Sequence, residues 1–145
     1  WDELSPDRSA RNYPVFRARY PKAWPLQWDN KWTGRYFLND NVTQNMIRTL
    51  LLAYAVYGEA RFKAAAERAG DFLILAQMPE PQPAWAQQYS PAMEPVWDRK
   101  FEPPAITGHE SQSAMDVLLL LYEKTGKKKF LKPIPPAQWQ AFTLL

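Results

Sequence analysis

The sequence predicts an all-α fold made of repeated αα-hairpins joined by long ordered loops. Three observations carry that expectation. Two adjacent stretches place apolar residues at helical spacing, the pattern Tyr-x3-Gly-x3-Phe recurs after 68 positions, and prolines break up most of the remaining chain. The 145 residues, 46% of them hydrophobic, suffice for one domain with a real core, so 1–145 reads as a single domain with an irregular segment over 1–38.

In chain order, Pro6, Pro14, Pro21 and Pro25 exclude a long helix from the irregular start. The spacing of Val42, Met46, Leu50, Ala53 and Tyr57 then predicts a helix from Asn41 to Tyr57, with Asn39 or Asp40 as its N-cap and Gly58 as its end. A second helix, Ala60 to Gln77, follows from the stripe Phe62, Ala65, Ala69, Phe72, Leu73 and Ala76, and Pro79 closes it. Together the two make a hairpin. Next comes the stretch from Ala84 to Ser111, where Pro91, Pro95, Pro103 and Pro104, with Pro83 just upstream, remove backbone donors and fix φ too often for one helix. It is expected to be a long ordered loop, because Trp85, Tyr89 and Trp97 argue against disorder. A third helix is predicted from Glu110 to Lys124, with Thr107 as N-cap, Glu110 at capping-box spacing and Gly126 as the stop. A short helix from Lys128 to Lys132 follows, and PIPPAQWQAFTLL closes the chain with a final helical turn or two.

The recurrence of Tyr54, Gly58 and Phe62 as Tyr122, Gly126 and Phe130 gives two hairpins one plan. The same shift lays Asp40 on Gly108 and Asn41 on His109, so both hairpins' first helices should begin at one end of the array. That end gathers Asp40, the 84–106 loop and His109, and helix N-termini there favour anions such as sugar carboxylates. Hairpins of this kind closed in a ring make an α/α toroid, of which this chain would be an incomplete array; stacked, they make a solenoid or bundle.

Composition narrows the function. A net charge of +3 with scattered basic residues gives no expectation of a nucleic-acid partner, and the Lys127–Lys129 run reads as a solvated helix start. With no cysteine, disulfides and thiolate chemistry are excluded, and no apolar run approaches the ~18 residues of a membrane span. Seven tryptophans and 14% aromatics exceed what a helical bundle of this size needs, and a surplus of rings suits carbohydrate, whose apolar C–H faces stack on Trp and Tyr. On that reading Trp85, Gln87 and Tyr89, with Gln88, are sugar contacts and His109 lines the mouth of the array; packing within the loop is the competing role for the first group. As the one histidine, His109 cannot build a multi-histidine metal site.

Several stretches resemble the pectic acid lyases of polysaccharide lyase family 10: YPKAWPLQW at 20–28, YFLNDNVTQNMI at 36–47, PAWAQQY at 83–89, DRKFEPPAITGHES at 98–111 and TGKKKFLKPIPPA at 125–137. The resemblance spans residues 20–137 and lies in the combination rather than in any one motif. It implies an α/α-toroid-like catalytic domain, here shortened or partial, secreted or periplasmic, monomeric, and cleaving polygalacturonate by β-elimination. It further implies calcium as cofactor, Arg99 in DRKFEPP as the catalytic base, and Asp40 in FLND as a calcium or substrate contact.

The chemistry asks for removal of the proton α to a uronate carboxylate, stabilisation of the enolate-like charge, and departure of the 4-linked oxygen. Calcium on that carboxylate would meet the second need. An arginine can act as base only if its neutral form becomes reachable, since its pKa in water lies above about 12. The competing role for Arg99 is an ion pair with Asp98, Glu94 or Glu102, and for Asp40 a helix cap. A non-catalytic module that binds acidic polysaccharide, or an inactive truncated lyase, is the second reading. A toroidal glycoside hydrolase is a third, with Asp40 and Glu102 as its carboxyl pair.

Overall fold

A computed structural model of the protein describes residues 15–31 and 34–143, with side chains up to Gln138. Pro6, Pro14 and the last two residues therefore lie outside the described residues, as do the side chains of Trp139 and Phe142. The element order is β1 (Tyr36–Phe37), a 3-10 turn (Asn39–Asn41), α1 (Val42–Tyr57), α2 (Ala60–Ala76), β2 (Gln88–Tyr89), α3 (Gly108–Thr125), a second 3-10 turn (Lys128–Leu131) and α4 (Ile134–Thr143). The result is a mostly helical small domain: four helices in packed pairs with one two-stranded antiparallel sheet, Tyr36 opposite Tyr89 and Phe37 opposite Gln88. No closed ring of hairpins is shown. Among the described residues, no helix is long and apolar enough to cross a membrane.

The two-residue strands escape the helical pattern because they are too short to alternate. β2 lies inside the 84–106 segment, which folds back on itself through bridges from Ala86 to Ile106 and from Tyr89 to Pro95. The loop is thus ordered by backbone pairing as well as by its prolines.

The Tyr-x3-Gly-x3-Phe repeat has a clear structural counterpart. Gly58 and Gly126 each cap a helix in the left-handed region, φ 71° and 68°, and each donates its N–H to the tyrosine four residues back, at 2.9 and 2.7 Å. Glycine suits both positions because a Cβ is disfavoured at positive φ. The N-terminal expectation for α1 is corrected. Asp40 and Asn41 both take positive φ, 51° and 58°, and neither side chain caps the helix. Thr43 instead donates its hydroxyl to the carbonyl of Phe37 at 2.6 Å, tying the first turn back to β1. At α3, Thr107 stands at the N-cap position, but its hydroxyl binds the Glu110 carboxylate rather than a backbone N–H.

The core runs between α1, α2 and α3 and under the loop, with Ile47, Leu73, Trp85, Tyr89, Leu118 and Phe130 fully buried. Gly70 makes this possible. A Cβ there would stand 2.5 Å from Leu121 and 2.7 Å from Phe130, so only a bare backbone lets α3 and its following turn approach α2 so closely. The lysine run is paired rather than free in solvent: Lys127 with Glu67 at 2.6 Å, and Lys129 with Asp71. On α1 the face in the core is Gln44, Ile47 and Leu51, whereas Val42 and Met46 of the apolar stripe are about half exposed and Tyr57 is more so.

Candidate functional site

The end of the molecule where α1 and α3 begin carries a connected set of polar side chains. It is anchored by Asp98, whose carboxylate is buried and accepts Gln88 Nε2 at 2.8 Å on one oxygen and Asn39 Nδ2 on the other. Gln88 stands on β2 and Asn39 lies two residues past the end of β1, so the strand pairing brings both amides to Asp98. Arg35 completes this base, donating to Gln88 Oε1 at 2.9 Å and to the Trp97 carbonyl at 2.6 Å, and pairing with Asp29 at 2.6 Å. Trp28 Nε1 donates to the Asp98 carbonyl at 3.0 Å. Burial, then the nearby Glu102 carboxylate, push the Asp98 carboxyl up to about 6, against the opposing pull of Arg99.

Above Asp98 sits Arg99, its side chain 42% exposed. Its Nε and Nη2 grip the Glu102 carboxylate, Nη2 to Oε1 at 2.6 Å, and Nη2 lies 3.5 Å from Asp40 Oδ1. The guanidinium carbon lies 5.2 Å from the centre of the exposed Phe101 ring. The bond to Glu102, first among several acidic neighbours, raises the Arg99 pKa further, and the same bond holds Glu102 below the usual carboxylate range. Arg99 is therefore held as a cation, and the pairing expected as its competing role, with Glu102, is present.

The site residues named from sequence divide in two. Arg99 and Asp40 come together, and His109 joins the same end: its Nε2 is 3.4 Å from Asn41 Nδ2, so the two positions matched by the 68-residue shift also meet in space. Trp85 and Tyr89 need correcting as sugar contacts. Both are fully buried, Trp85 Nε1 donating to the Leu73 carbonyl at 2.8 Å and Tyr89 Oη to the Ala76 carbonyl at 2.7 Å. Neither ring has a face for a sugar to stack on. Gln87 is partly exposed, while its backbone carbonyl receives the N–H groups of Leu38 and Asn39. Gln88, the other amide of that pair, is fully buried. The sequence marks Asp98 only as an ion-pair candidate for Arg99 and Asn39 only as a helix cap or neighbour of Asp40, and nothing in one sequence ties residues 35, 39, 88 and 98 together.

A calcium ion calls for about six to eight oxygen ligands. Among the described residues no group of three or more His, Cys, Asp or Glu side chains could hold a metal ion. Asp98 is occupied by amides and Glu102 by Arg99, which leaves the 64% exposed Asp40 carboxylate as the nearest available one. These residues do not fit a calcium ion held by the protein alone.

Set against protein-family models, curated proteins and solved structures, the chain matches none.

Proposed function

We propose that this protein acts on acidic polysaccharide, as a pectate lyase that cleaves polygalacturonate by β-elimination, its packed hairpins forming part of an α/α-toroid array. The observation that carries the reading is Arg99: a partly exposed guanidinium within the DRKFEPP stretch, seated over a rigid polar base at the end where two helices begin. A uronate carboxylate can compete with Glu102 and Asp40 for that cation through paired N–H···O bonds. In the elimination, a base takes the proton from C5, the C4–O4 bond breaks, a C4–C5 double bond forms, and the departing oxygen is protonated. For Arg99 to be that base, substrate must draw it away from both carboxylates and from water, so that its neutral form comes within reach. Calcium bound by the substrate's own carboxylates would supply stabilisation of the enolate-like charge in this reading, and Asp40 is the residue that would contact it. A secreted or periplasmic setting follows from the substrate.

The cationic state of Arg99 in the free protein favours a second reading, a module that binds acidic polysaccharide without cleaving it. One experiment separates the two. The protein is incubated with polygalacturonate, with calcium or a chelator, and the ultraviolet absorbance of the unsaturated product is followed beside a binding measurement. The lyase reading expects product, lowered about 100-fold or more by Arg99→Ala. Undiminished product from Arg99→Ala rejects Arg99 as the base. Binding that Arg99→Ala weakens, without product from either protein, selects the module.

A further inference from the structure

The 68-residue repeat extends beyond the helix caps to the surfaces by which the hairpins pack. α3 packs against both α1 and α2, whose buried residues include Gln44, Ile47 and Leu51 of α1 and Ala66 and Gly70 of α2. Adding 68 to those five numbers gives Gln112, Met115, Leu119, Ile134 and Gln138. All five line a groove of about 590 Å3 between α3, α4 and the segment before α3, which adds Gln82, Ala84 and Ile106. The buried positions of the first hairpin therefore recur as a groove on the second, and no element of the chain fills it among the described residues.

The entering face is repeated as well. The buried residues of α3 include Glu110, Ala114, Val117 and Leu121, all at most 5% exposed, and Leu121 meets Gly70 of the first hairpin. Their counterparts on α1 are Val42, Met46, Thr49 and Ala53, and here the face is open: Val42 is 55% and Met46 46% exposed, with Val56 beside them at 66%. Arg48 is the one charged side chain of α1, and this outer face has none. A helix that is apolar on the side away from its own core is built to be covered there too.

We propose that the protein assembles head to tail, the outer face of α1 in one copy entering the α3–α4 groove of the next. The occupant is a second copy because both halves of the joint are already present on this chain and repeat one that it builds internally. Residue sizes at the tightest point fit this pairing. Inside the chain, Leu121 approaches Gly70, large against none. In the joint between copies the corresponding pair is Ala53 against Gln138, small against large. Such a joint is heterologous, so it leaves one open face and one open groove on every dimer and propagates until a ring closes. It stands independently of the lyase reading.

Sedimentation velocity of the full chain from about 1 μM to about 1 mM tests this. The expected result is association that grows with concentration past the dimer, or a closed ring. Met46→Glu on the face and Leu119→Glu in the groove alter side chains that are 46% and 44% exposed, so each variant should keep its circular dichroism. Each alone should be monomeric, the dissociation constant raised at least about tenfold. Mixed in equal amounts they should form a single 1:1 complex, since one retains a sound groove and the other a sound face. A wild-type monomer throughout the range overturns the proposal. So does a Leu119→Glu variant that dimerises by itself, which would mean that α1 pairs with α1, or a mixture that fails to associate.

Discussion

At Asp98 burial and hydrogen bonding pull in opposite directions. Two amide N–H groups favour the carboxylate, yet burial and Glu102 win, and the pKa rises to about 6. The folded value lies above the unfolded one, so the folded state holds the proton more tightly. The stabilisation is then complete below the unfolded pKa, near 4, and is lost as pH rises through about 6. Lowering pH from 8 to 5 should therefore raise unfolding free energy by on the order of 1 kcal/mol, allowing for relaxation of the surrounding dipoles. Glu102 acts with the opposite sign: its pKa is depressed, so its contribution falls away only at more acid pH. Urea melts across that range should show the slope, and Asp98→Asn should flatten it. A wild-type curve flat from 8 to 5 would refute the assignment. Sequence alone had offered Asp98 only as an ion-pair candidate for Arg99. Its burial depends on β1 and β2 bringing Asn39 and Gln88 together across 49 positions, and two-residue strands leave no periodic signal.

Helix ends show what sequence spacing reveals and what it misses. The glycine stops of α1 and α3 were legible because a left-handed cap selects glycine locally. The place where α2 ends was legible too, from Pro79, but the partners of its last carbonyls were not, because they come from elsewhere in the chain. An α-helix leaves its last four carbonyls without internal partners. For α2 three of these are taken by distant groups: Leu73 O by Trp85 Nε1, Leu75 O by Ala18 N–H, and Ala76 O by Tyr89 Oη. The rings that composition suggested for sugar thus bury their bodies and use their polar tips as caps. Tyr89 Oη also accepts the Ala86 N–H at 2.7 Å, so one hydroxyl links helix and loop. Tyr89→Phe keeps the packing but leaves a buried carbonyl and a buried N–H unsatisfied, and should cost about 1–3 kcal/mol. Denaturant midpoints at unchanged slope would measure it. A loss below about 0.5 kcal/mol would show that the hydroxyl does not link the two.

Across the whole molecule, the 68-residue repeat was the longest-range feature legible in the sequence, since its glycines and aromatics keep their spacing. Which face of α1 points inward was not legible, although the stripe of α2 did hold the buried Leu73 and Ala76. The stripe that marked α1 as a helix proved to be its outer face, and Gln44, wholly buried with neither side-chain polar atom hydrogen-bonded, stands on the inner one. The proposed joint between the α1 face and the α3–α4 groove has a thermodynamic consequence distinct from its size in solution. Each copy that docks covers surface only in the folded state, so assembly must stabilise folding by mass action. At a free concentration one hundred times the dissociation constant the gain is about 2.7 kcal/mol. For a chain of this length that corresponds to a rise in Tm of roughly 5–10 °C between dilute and concentrated protein. Scanning calorimetry over that range should show the rise in wild type and none in Met46→Glu. If Tm climbs equally in both, association buries some surface other than the α1 face. If Tm is constant in a wild type that does associate, the copies meet through a joint that survives unfolding, which neither helix face could provide.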